Sequence, residues 1–441
     1  MTQSNGEPRV IRVPILTRVE GEGALDIRFH GREPTEVHLR IYEPPRFFEA
    51  FLRGRPMEDV ADITSRICGI CPIAYQMTAV QALESIQGVK VSQEIRWLRR
   101  LVYCAEWIES HVLHIHLLHA PDFFGCASAM ELAKQFPDEV KRGLKLKKLG
   151  NQLLEILGGR AIHPVNLAIG GFYRLPRREE LDALIPEFEH GLAWATEAAR
   201  WLAKLDFPSF ESNYEFVALS HPEEYAIEEG GIKVSDGTAI PTSSYEEHFQ
   251  EVQVPHSTAL QSRRVATGGT YFVGPLARIQ LNFNQLTPHA KTIASEIGID
   301  PSCRNPHRSI LARAIEVVYA FEEALKIMKR RAWPSEARKA LQNVVAGEGI
   351  SATEAPRGLI FHRYRVDEAG KIEFAKIVPP TSQNQSQIES DLRQLLPTIA
   401  DKQDQQIAID CERLIRSYDP CISCSTHFLK VNIARDGLRP E

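Results

Sequence analysis

The sequence predicts a mainly α-helical fold with small β regions, in which a large helical body carries N-terminal and peripheral antiparallel sheets. Two observations support this α+β class. Apolar residues recur at three- and four-residue steps over long stretches, whereas the strand-like segments are short and lie near the N-terminus and around residues 360–378. The 441 residues are 43% hydrophobic and 25% charged, which is typical of a globular protein. This length corresponds to roughly three domains of ordinary size. Because we find no linker, internal repeat or low-complexity tract, we expect a single domain over residues 1–441.

The β regions lie in two parts of the chain. Residues 9–43 are expected to form N-terminal strands, because segments 10–15, 24–30 and 36–42 alternate or run apolar with glycine-containing turns between them. Segments 360–366 and 371–378 flank a turn at residues 367–370 and predict a hairpin. Residues 206–280 are rich in Gly, Pro and Ser and are expected to be of mixed structure.

The helical body is expected to cover residues 45–427. Its predicted helices are 72–86, 92–118, 128–157, 177–204, 306–345, 385–396 and 402–416. Pro137 interrupts the third of them, because proline removes a backbone donor and clashes with the preceding turn. Four histidines of the second helix do not share one face, so they are expected to be buried core or hydrogen-bonding side chains rather than a metal site: His111, His114, His116 and His119.

Charge and hydropathy exclude several classes of function. The 52 basic and 57 acidic residues give a net charge of −5, which argues against nucleic acid or an anionic membrane as a partner. No run approaches the ~18 apolar residues of a spanning helix, so no membrane span is expected. The N-terminal residues lack a basic segment followed by an apolar one, so we expect a cytoplasmic protein.

The chemistry-bearing pattern is a pair of C-x-x-C motifs near opposite ends of the chain. Four of the eight cysteines form the motifs Cys68-Gly69-Ile70-Cys71 and Cys421-Ile422-Ser423-Cys424. Thiolates at this spacing suit zinc, nickel or iron. Three interpretations remain open from spacing alone: a structural four-cysteine zinc site, a thioredoxin-like dithiol, and a buried four-thiolate catalytic centre. Zinc-binding pairs usually lie closer in sequence, and neither motif sits near a βαβ unit.

The residues around both pairs resemble the two metal-binding signatures of nickel–iron hydrogenase large subunits. The first reads RICGIC over residues 66–71 and the second DPCISCSTH over residues 419–427. Further similar motifs follow in the family's order: TRVEG at 17–21, the segment 110–122, EAPRG at 354–358 and IVPPT at 377–381. The resemblance covers residues ~9–427. It implies the hydrogenase large-subunit fold.

Within that family the chain is most similar to the cytoplasmic, pyridine-nucleotide-linked branch, which includes the sulfhydrogenases. Segments 44–50, 160–164 and 235–237 carry this similarity. One position differs from the periplasmic enzymes, which have a histidine near a bridging sulfur four residues after the second cysteine of the first pair. This chain has Tyr75 there.

The resemblance implies the metal ligands. All four cysteines would bind nickel, Cys68 and Cys421 as terminal ligands, while Cys71 and Cys424 would also bridge to an iron that holds carbonyl and cyanide ligands. Glu49, His427 and the backbone carbonyl of Lys376 resemble the ligands of a magnesium (or iron) near the C-terminus.

The resemblance also implies roles for the surrounding residues. Cys421 would receive a proton from H₂ and Glu20 would carry it outwards, a role that suits a partly buried carboxylate. Arg357 would place its guanidinium against the iron's diatomic ligands, with Asp122 and Asp419 holding that arginine in place. Residues Pro379, Pro380 and Thr381 would lie beside the cyanides.

The implied function is reversible oxidation of H₂ to protons and electrons. This chain has neither an iron–sulfur motif nor a flavin or nicotinamide fold, so an iron–sulfur small subunit must take the electrons. Diaphorase subunits would hold flavin and NAD(P). In this family a maturation protease cuts after the position of His427 once nickel-insertion proteins have acted, so residues 428–441 are expected to be removed.

Three other functions remain as alternatives. An H₂-sensing regulatory subunit would use the same site, although such sensors tend to lack a C-terminal extension. A metal-free relative of the respiratory quinone-reducing complex would have lost the cysteine pairs. A zinc-stabilised structural protein would need only the four thiolates.

Overall fold

A computed structural model describes residues 9–426. Helices form the body, and the strands are short. The helices are α1 (Phe48–Leu52), α2 (Val60–Ser65), α3 (Pro72–Gln87), α4 (Gln93–Leu113), α5 (Ala120–Phe123), α6 (Ala129–Gln135), α7 (Pro137–Gly158), α8 (Arg178–Leu202), α9 (Tyr245–His248), α10 (Pro275–Asn282), α11 (Pro288–Glu296), α12 (Ser309–Met328), α13 (Pro380–Ile399) and α14 (Asp404–Ser417). A π-helical segment, His114–His119, continues α4.

The strands form five small antiparallel sheets in the described part of the chain. They are β1 (Arg9–Val13), β2 (Gly23–His30), β3 (Glu33–Ile41), β4 (Leu167–Ala168), β5 (Gly171–Phe172), β6 (Val217–Ser220), β7 (Gly231–Val234), β8 (Ala239–Ile240), β9 (Phe249–Gln253), β10 (Leu260–Arg264), β11 (Gly347–Ala355), β12 (Gly358–Val366) and β13 (Ile372–Val378). Sequence neighbours pair in every sheet: β1-β2-β3, β4-β5, β6-β7-β8, β9-β10 and β11-β12-β13. The predicted α+β class is confirmed.

The long helices α4, α7, α8 and α12 form the centre of the body. Helix α4 packs against α7 and α12, and α12 packs against α8. Glycine allows α7 to approach α4 closely, because a Cβ at Gly150 of α7 would lie 2.9 Å from the carbonyl oxygen of Ala105 on α4. The side chain of Ser92 begins α4 by accepting the backbone N–H of Ile95.

The predicted break at Pro137 is confirmed, since α6 ends at Gln135 and Pro137 is the first residue of α7. No described helix has the combined length and apolar character needed to span a bilayer.

The predicted helix over residues 306–345 is wrong beyond Met328. Trp333 precedes Pro334, and a residue before proline disfavours the helical conformation. The extended chain instead pairs with the β4–β5 hairpin, where Arg338 forms a bridge with Gly171.

Two further boundaries differ from the sequence expectation. Strand β11 was not predicted and forms the outer strand beside the predicted hairpin. Helix α13 begins five residues earlier than expected, at Pro380, because a proline suits the first helical position.

Candidate metal centre

The structure brings the two cysteine motifs together although 353 positions separate Cys68 from Cys421. Their Sγ atoms are 3.5 Å apart. The sulfurs of Cys68, Cys421 and Cys424 all lie within 4.8 Å of one another and are buried. Cys421 and Cys424 have their Cα atoms 5.4 Å apart, so both sulfurs can reach one site. Within residues 9–426 this is the one close group of three or more metal-ligating side chains.

The first pair lies between α2 and α3. Cys71 precedes the first residue of α3, and the Sγ of Cys68 accepts the backbone N–H groups of Ile70 at 3.3 Å and Cys71 at 3.4 Å. A hydrogen bond from the Cys71 thiol lowers the pKa of Cys68, and the positive charge of Arg357 acts in the same direction. The same hydrogen bond, together with burial, raises the pKa of Cys71. The loop therefore favours one thiolate even before a metal neutralises it.

The second pair is fixed by the N-terminal segment. Glu20 and Cys421 form a parallel bridge, and the backbone N–H of Ile422 donates to the carbonyl oxygen of Glu20 at 2.9 Å. Gly21 has φ +85°, and a Cβ there would lie 2.9 Å from the backbone nitrogen of Ser423. Only glycine therefore allows the segment to approach the cysteine loop this closely.

The carboxylate of Glu20 contacts the cysteine loop directly. Its Oε2 lies 3.0 Å from the Sγ of Cys421 and accepts the backbone N–H of Ser423 at 3.1 Å. The hydroxyl of Ser423 donates to Oε1 of the half-buried Glu43 at 3.0 Å. Polar groups thus continue from the sulfur towards the protein surface.

Arg357 and Asp419 form a buried ion pair beside the sulfurs. The Nε of Arg357 donates to the carbonyl oxygen of Asp419 at 2.8 Å, and Nη2 donates to Oδ1 at 3.1 Å. Asp419 has φ 53°, a left-handed conformation in which its backbone carbonyl oxygen and Oδ1 both face the arginine. Nη1 of Arg357 and Oδ2 of Asp419 are buried and have no hydrogen-bond partner among residues 9–426. Burial alone would lower the pKa of Arg357, but Asp419 and the cysteines raise it above its ordinary value.

The structure pairs Asp122 with arginines other than Arg357, which the resemblance implies it would hold. Both carboxylate oxygens of Asp122 accept from Arg416, at 2.7 and 2.8 Å, and Oδ1 also accepts from Arg18 at 2.5 Å. Arg416 in turn donates to the carbonyl oxygen of Thr17 at 2.9 Å. Asp122 therefore fixes the segment that precedes Glu20, because its two arginine partners lie in or bind that segment.

The segment 379–381 lies against the second cysteine pair. Pro379 and Pro380 begin α13, and the hydroxyl of Thr381 accepts the backbone N–H of Cys421 at 3.0 Å. Thr381 therefore lines the site beside Cys421.

Two of the expected magnesium ligands, Glu49 and Lys376, lie close to each other. Oε1 of the buried Glu49 accepts the backbone N–H of Ile377 at 2.9 Å, next to Lys376. The ammonium group of Lys376 binds Glu246 at 2.6 Å. His427 lies outside the described residues.

Sequence reasoning missed Glu106 and gave Tyr75 no role. Glu106 is fully buried on α4, and its two carboxylate oxygens accept the backbone N–H groups of Ile73 at 2.6 Å and Ala74 at 3.1 Å. It therefore fixes the first turn of α3 directly after Cys71. Burial raises the pKa of Glu106 well above its ordinary value. The hydroxyl of Tyr75, one helical turn after Cys71, is buried and has no partner in the described part of the chain. A glutamate on the buried face of an amphipathic helix is the one sequence signal that could have revealed Glu106.

The donor set fits a metal group better than it fits a simple structural ion. Soft thiolates are available from both motifs, and unpartnered polar atoms of Arg357, Asp419 and Tyr75 lie around them. Buried polar atoms normally have partners, so these three can make contacts to a polar ligand beyond the metal itself. Fold and site together define a helical protein with a buried thiolate metal centre, formed by both ends of its chain.

The comparisons with known proteins identify that class. The family model described as nickel-dependent hydrogenase matches residues 46–142 and 243–427. The chain is 34% identical to the alpha chain of sulfhydrogenase 1 from Pyrococcus furiosus, over 96% of this chain and 98% of that one. It is 32% identical to the alpha chain of sulfhydrogenase 2 from the same organism, over 96% of this chain and 100% of that one.

A solved structure supports the fold. The crystal structure of an NAD+-reducing [NiFe]-hydrogenase in the H2-reduced state matches with a TM-score of 0.87 and 24% identity, over 95% of this chain and 99% of that one. The chain belongs to the nickel-dependent hydrogenase family, as a large subunit. The resemblance inferred from the cysteine motifs is confirmed, and the protein is an oxidoreductase that acts on H₂.

Proposed function

We propose that this chain is the catalytic subunit that reversibly oxidises H₂ to two protons and two electrons. The observation that carries the proposal is the convergence of sulfurs from both chain ends beside a carboxylate, with Oε2 of Glu20 3.0 Å from the Sγ of Cys421. A zinc structural site has no need of such an acceptor beside a ligand sulfur.

The four cysteines, as thiolates, would hold the metals. Cys68, Cys71, Cys421 and Cys424 would bind nickel, and Cys71 and Cys424 would also bind an iron with carbonyl and cyanide ligands. When bound, the pair supplies the redox-active Lewis acid that heterolytic cleavage of H₂ requires. The unpartnered Nη1 of Arg357 is a donor suited to a diatomic ligand, and the segment 379–381 would line the other side.

The chain's own residues would then move the proton. The thiolate of Cys421 accepts one proton of H₂, and Oε2 of Glu20 takes it from the sulfur across a 3.0 Å contact. Ser423 and Glu43 offer the next polar groups towards solvent. Asp122, through Arg18 and Arg416, would keep the segment of Glu20 in place.

A second metal site would stabilise the end of the chain. Glu49, the backbone carbonyl of Lys376 and His427 would bind magnesium (or iron). The buried Glu49 carboxylate supports this assignment, since hard cations prefer oxygen ligands.

The electrons would leave through partner chains. The sulfhydrogenase relatives are named as alpha chains, which supports a heteromultimer with an iron–sulfur small subunit. The structural neighbour is an NAD+-reducing enzyme, which supports NAD(P) as the final acceptor, with flavin and NAD(P) on diaphorase subunits. We further propose a cytoplasmic location, maturation by nickel-insertion proteins, and a protease that removes residues 428–441 from the single domain.

The proposal is tested by infrared spectroscopy and elemental analysis of the matured complex. We expect carbonyl and cyanide stretching bands, nickel and iron at one atom each per chain, and turnover of H₂ with an artificial electron acceptor. Zinc in place of nickel, without the infrared bands, would support the structural protein. Bands with only trace turnover would support the H₂ sensor.

A further inference from the structure

The turn that carries Arg357 is held from outside its own hairpin. Ala355 and Gly358 close the β11–β12 hairpin, which leaves Pro356 and Arg357 as a two-residue loop. Two-residue hairpin loops normally use turns with positive φ at their first residue, because that twist matches the strands. Proline fixes φ near −65°, and Arg357 is not among the residues with positive φ. The loop therefore lacks the conformation that would stabilise it by itself.

Arg278 of α10 supplies the missing contacts. Its Nη1 donates to the carbonyl oxygen of Ala355 and its Nη2 to that of Pro356, each at 2.9 Å. These are the carbonyl groups of the two residues directly before Arg357. Their positions set the direction in which the Arg357 side chain leaves the backbone.

Two carboxylates fix Arg278 in turn. Glu316 accepts from Nε and Nη2, both at 2.7 Å, and Glu354 accepts from Nη1 at 2.8 Å. All three side chains have 0% exposure. A guanidinium has five N–H donors in a rigid plane, and here each of its nitrogens has a partner.

The backbone around the turn is equally close-packed. A Cβ at Gly274, just before α10, would lie 2.8 Å from the carbonyl oxygen of Arg357. A Cβ at Gly358, whose φ is +134°, would lie 2.8 Å from the nitrogen of Gly274. The start of α10 and the turn therefore form one rigid contact.

We propose that Arg278 is a positioning residue of the metal centre, which aims Nη1 of Arg357 by fixing the carbonyl groups of Ala355 and Pro356. This inference rests on the proposed function, because the group that Nη1 would meet is the iron's diatomic ligand set. Lysine at position 278 would keep the charge but lose the planar array of donors.

The test compares Arg278→Lys with Arg100→Lys. Arg100 is a matched control because it is 1% exposed and binds Glu228 and Glu323, together with the backbone carbonyl of Tyr225, none of which belongs to the turn. In matured complexes we expect R278K to shift or broaden the cyanide bands and to lower kcat for H₂ oxidation roughly 10- to 100-fold. R100K should leave the bands in place while lowering thermal stability comparably.

A second readout needs no metal. Amide hydrogen exchange of residues 355–359 in the metal-free protein should accelerate in R278K and not in R100K. If R278K fails to mature, Glu316→Gln takes its place, since it weakens the hold on Arg278 without removing the cation. Unchanged bands and unchanged exchange in either variant would overturn the positioning role, as would equal shifts in R100K. A wild-type complex without bands would instead reject the proposed function.

Discussion

Two buried polar regions of this chain differ in whether all nitrogens of their arginines have hydrogen-bond partners. The arginine–glutamate network consists of Arg100, Arg278, Glu228, Glu316, Glu323 and Glu354, and every nitrogen of its two arginines has a partner. At the metal centre, Nη1 of Arg357 and Oδ2 of Asp419 have no partner within the described residues. A buried polar atom without a partner costs about 1–3 kcal/mol. Both guanidinium groups of the network are thus fully hydrogen-bonded as folded, whereas the centre retains atoms that a ligand can satisfy.

The largest expected effect comes from removing a sulfur at the centre. Cys424→Ser should abolish binding of the nickel–iron group, because a hydroxyl is a poor ligand where thiolates are needed. Nickel content and H₂ turnover should both fall to background, by elemental analysis and an artificial-acceptor assay.

Cys104→Ser is the matched control for that loss. Cys104 is buried on α4 one turn from Arg100, beside the network rather than the centre. The C104S variant should retain its metals. Full nickel occupancy in C424S would contradict the four-cysteine ligand set.

The next-largest effect is expected from removing the carboxylate that would relay the proton. Glu20→Gln should keep both metals but slow the exchange of H₂ with D₂O by roughly 10²–10⁴-fold, because an amide cannot relay the proton. Mass spectrometry of the evolved HD follows this rate.

Glu323→Gln provides the contrast within the network. It removes the carboxylate that faces Nε of Arg100 at 3.1 Å, so it should lower stability and leave exchange within about twofold of wild type. Exchange at the normal rate in E20Q would remove Glu20 from the proton route.

A third prediction concerns stability alone. Arg278→Met leaves two buried carboxylates without their cation and should lower the free energy of unfolding of the metal-free protein by about 3–5 kcal/mol. Arg357→Met leaves only Asp419 unpaired and should cost less. Denaturant unfolding measures both. A larger loss in R357M than in R278M would reverse the contrast between the two regions.

The sequence predicts features that depend on local patterns and not those that depend on contacts between distant positions. The fold class and the cysteine motifs were readable, because helical periodicity and C-x-x-C spacing are local patterns. The partner of Asp122 was not, because Arg416 lies 294 positions away and only the packing of α14 against the N-terminal segment brings them together.

Arg278 and Glu106 escaped for a related reason. Each is a charged residue on a short or amphipathic helix, where sequence alone suggests exposure to solvent. Their partners are backbone groups of other segments, the carbonyl groups of Ala355 and Pro356 and the N–H groups of Ile73 and Ala74. Backbone groups carry no sequence signal, so such contacts require the fold.

The smallest expected effect concerns how buried histidines make the stability of the fold depend on pH. Burial lowers the pKa of both His111 and His116 to about 4, but His111 also lies 3.0 Å from Glu316 of the network, whereas His116 stacks on Trp201. A histidine that titrates near 6.5 when unfolded and near 4 when folded binds more protons in the unfolded state between these values. Its contribution to stability is therefore complete above pH 6.5 and is lost as the pH falls towards 4.

His116→Gln removes that titration. The difference in unfolding free energy between pH 7.5 and pH 5 should shrink by roughly 2 kcal/mol, as measured by urea denaturation at both pH values. His190→Gln is the control, because His190 is exposed on α8 and should leave the difference unchanged. If H116Q and H190Q gave the same difference in unfolding free energy between the two pH values, burial of His116 would not be a source of the stability lost in acid.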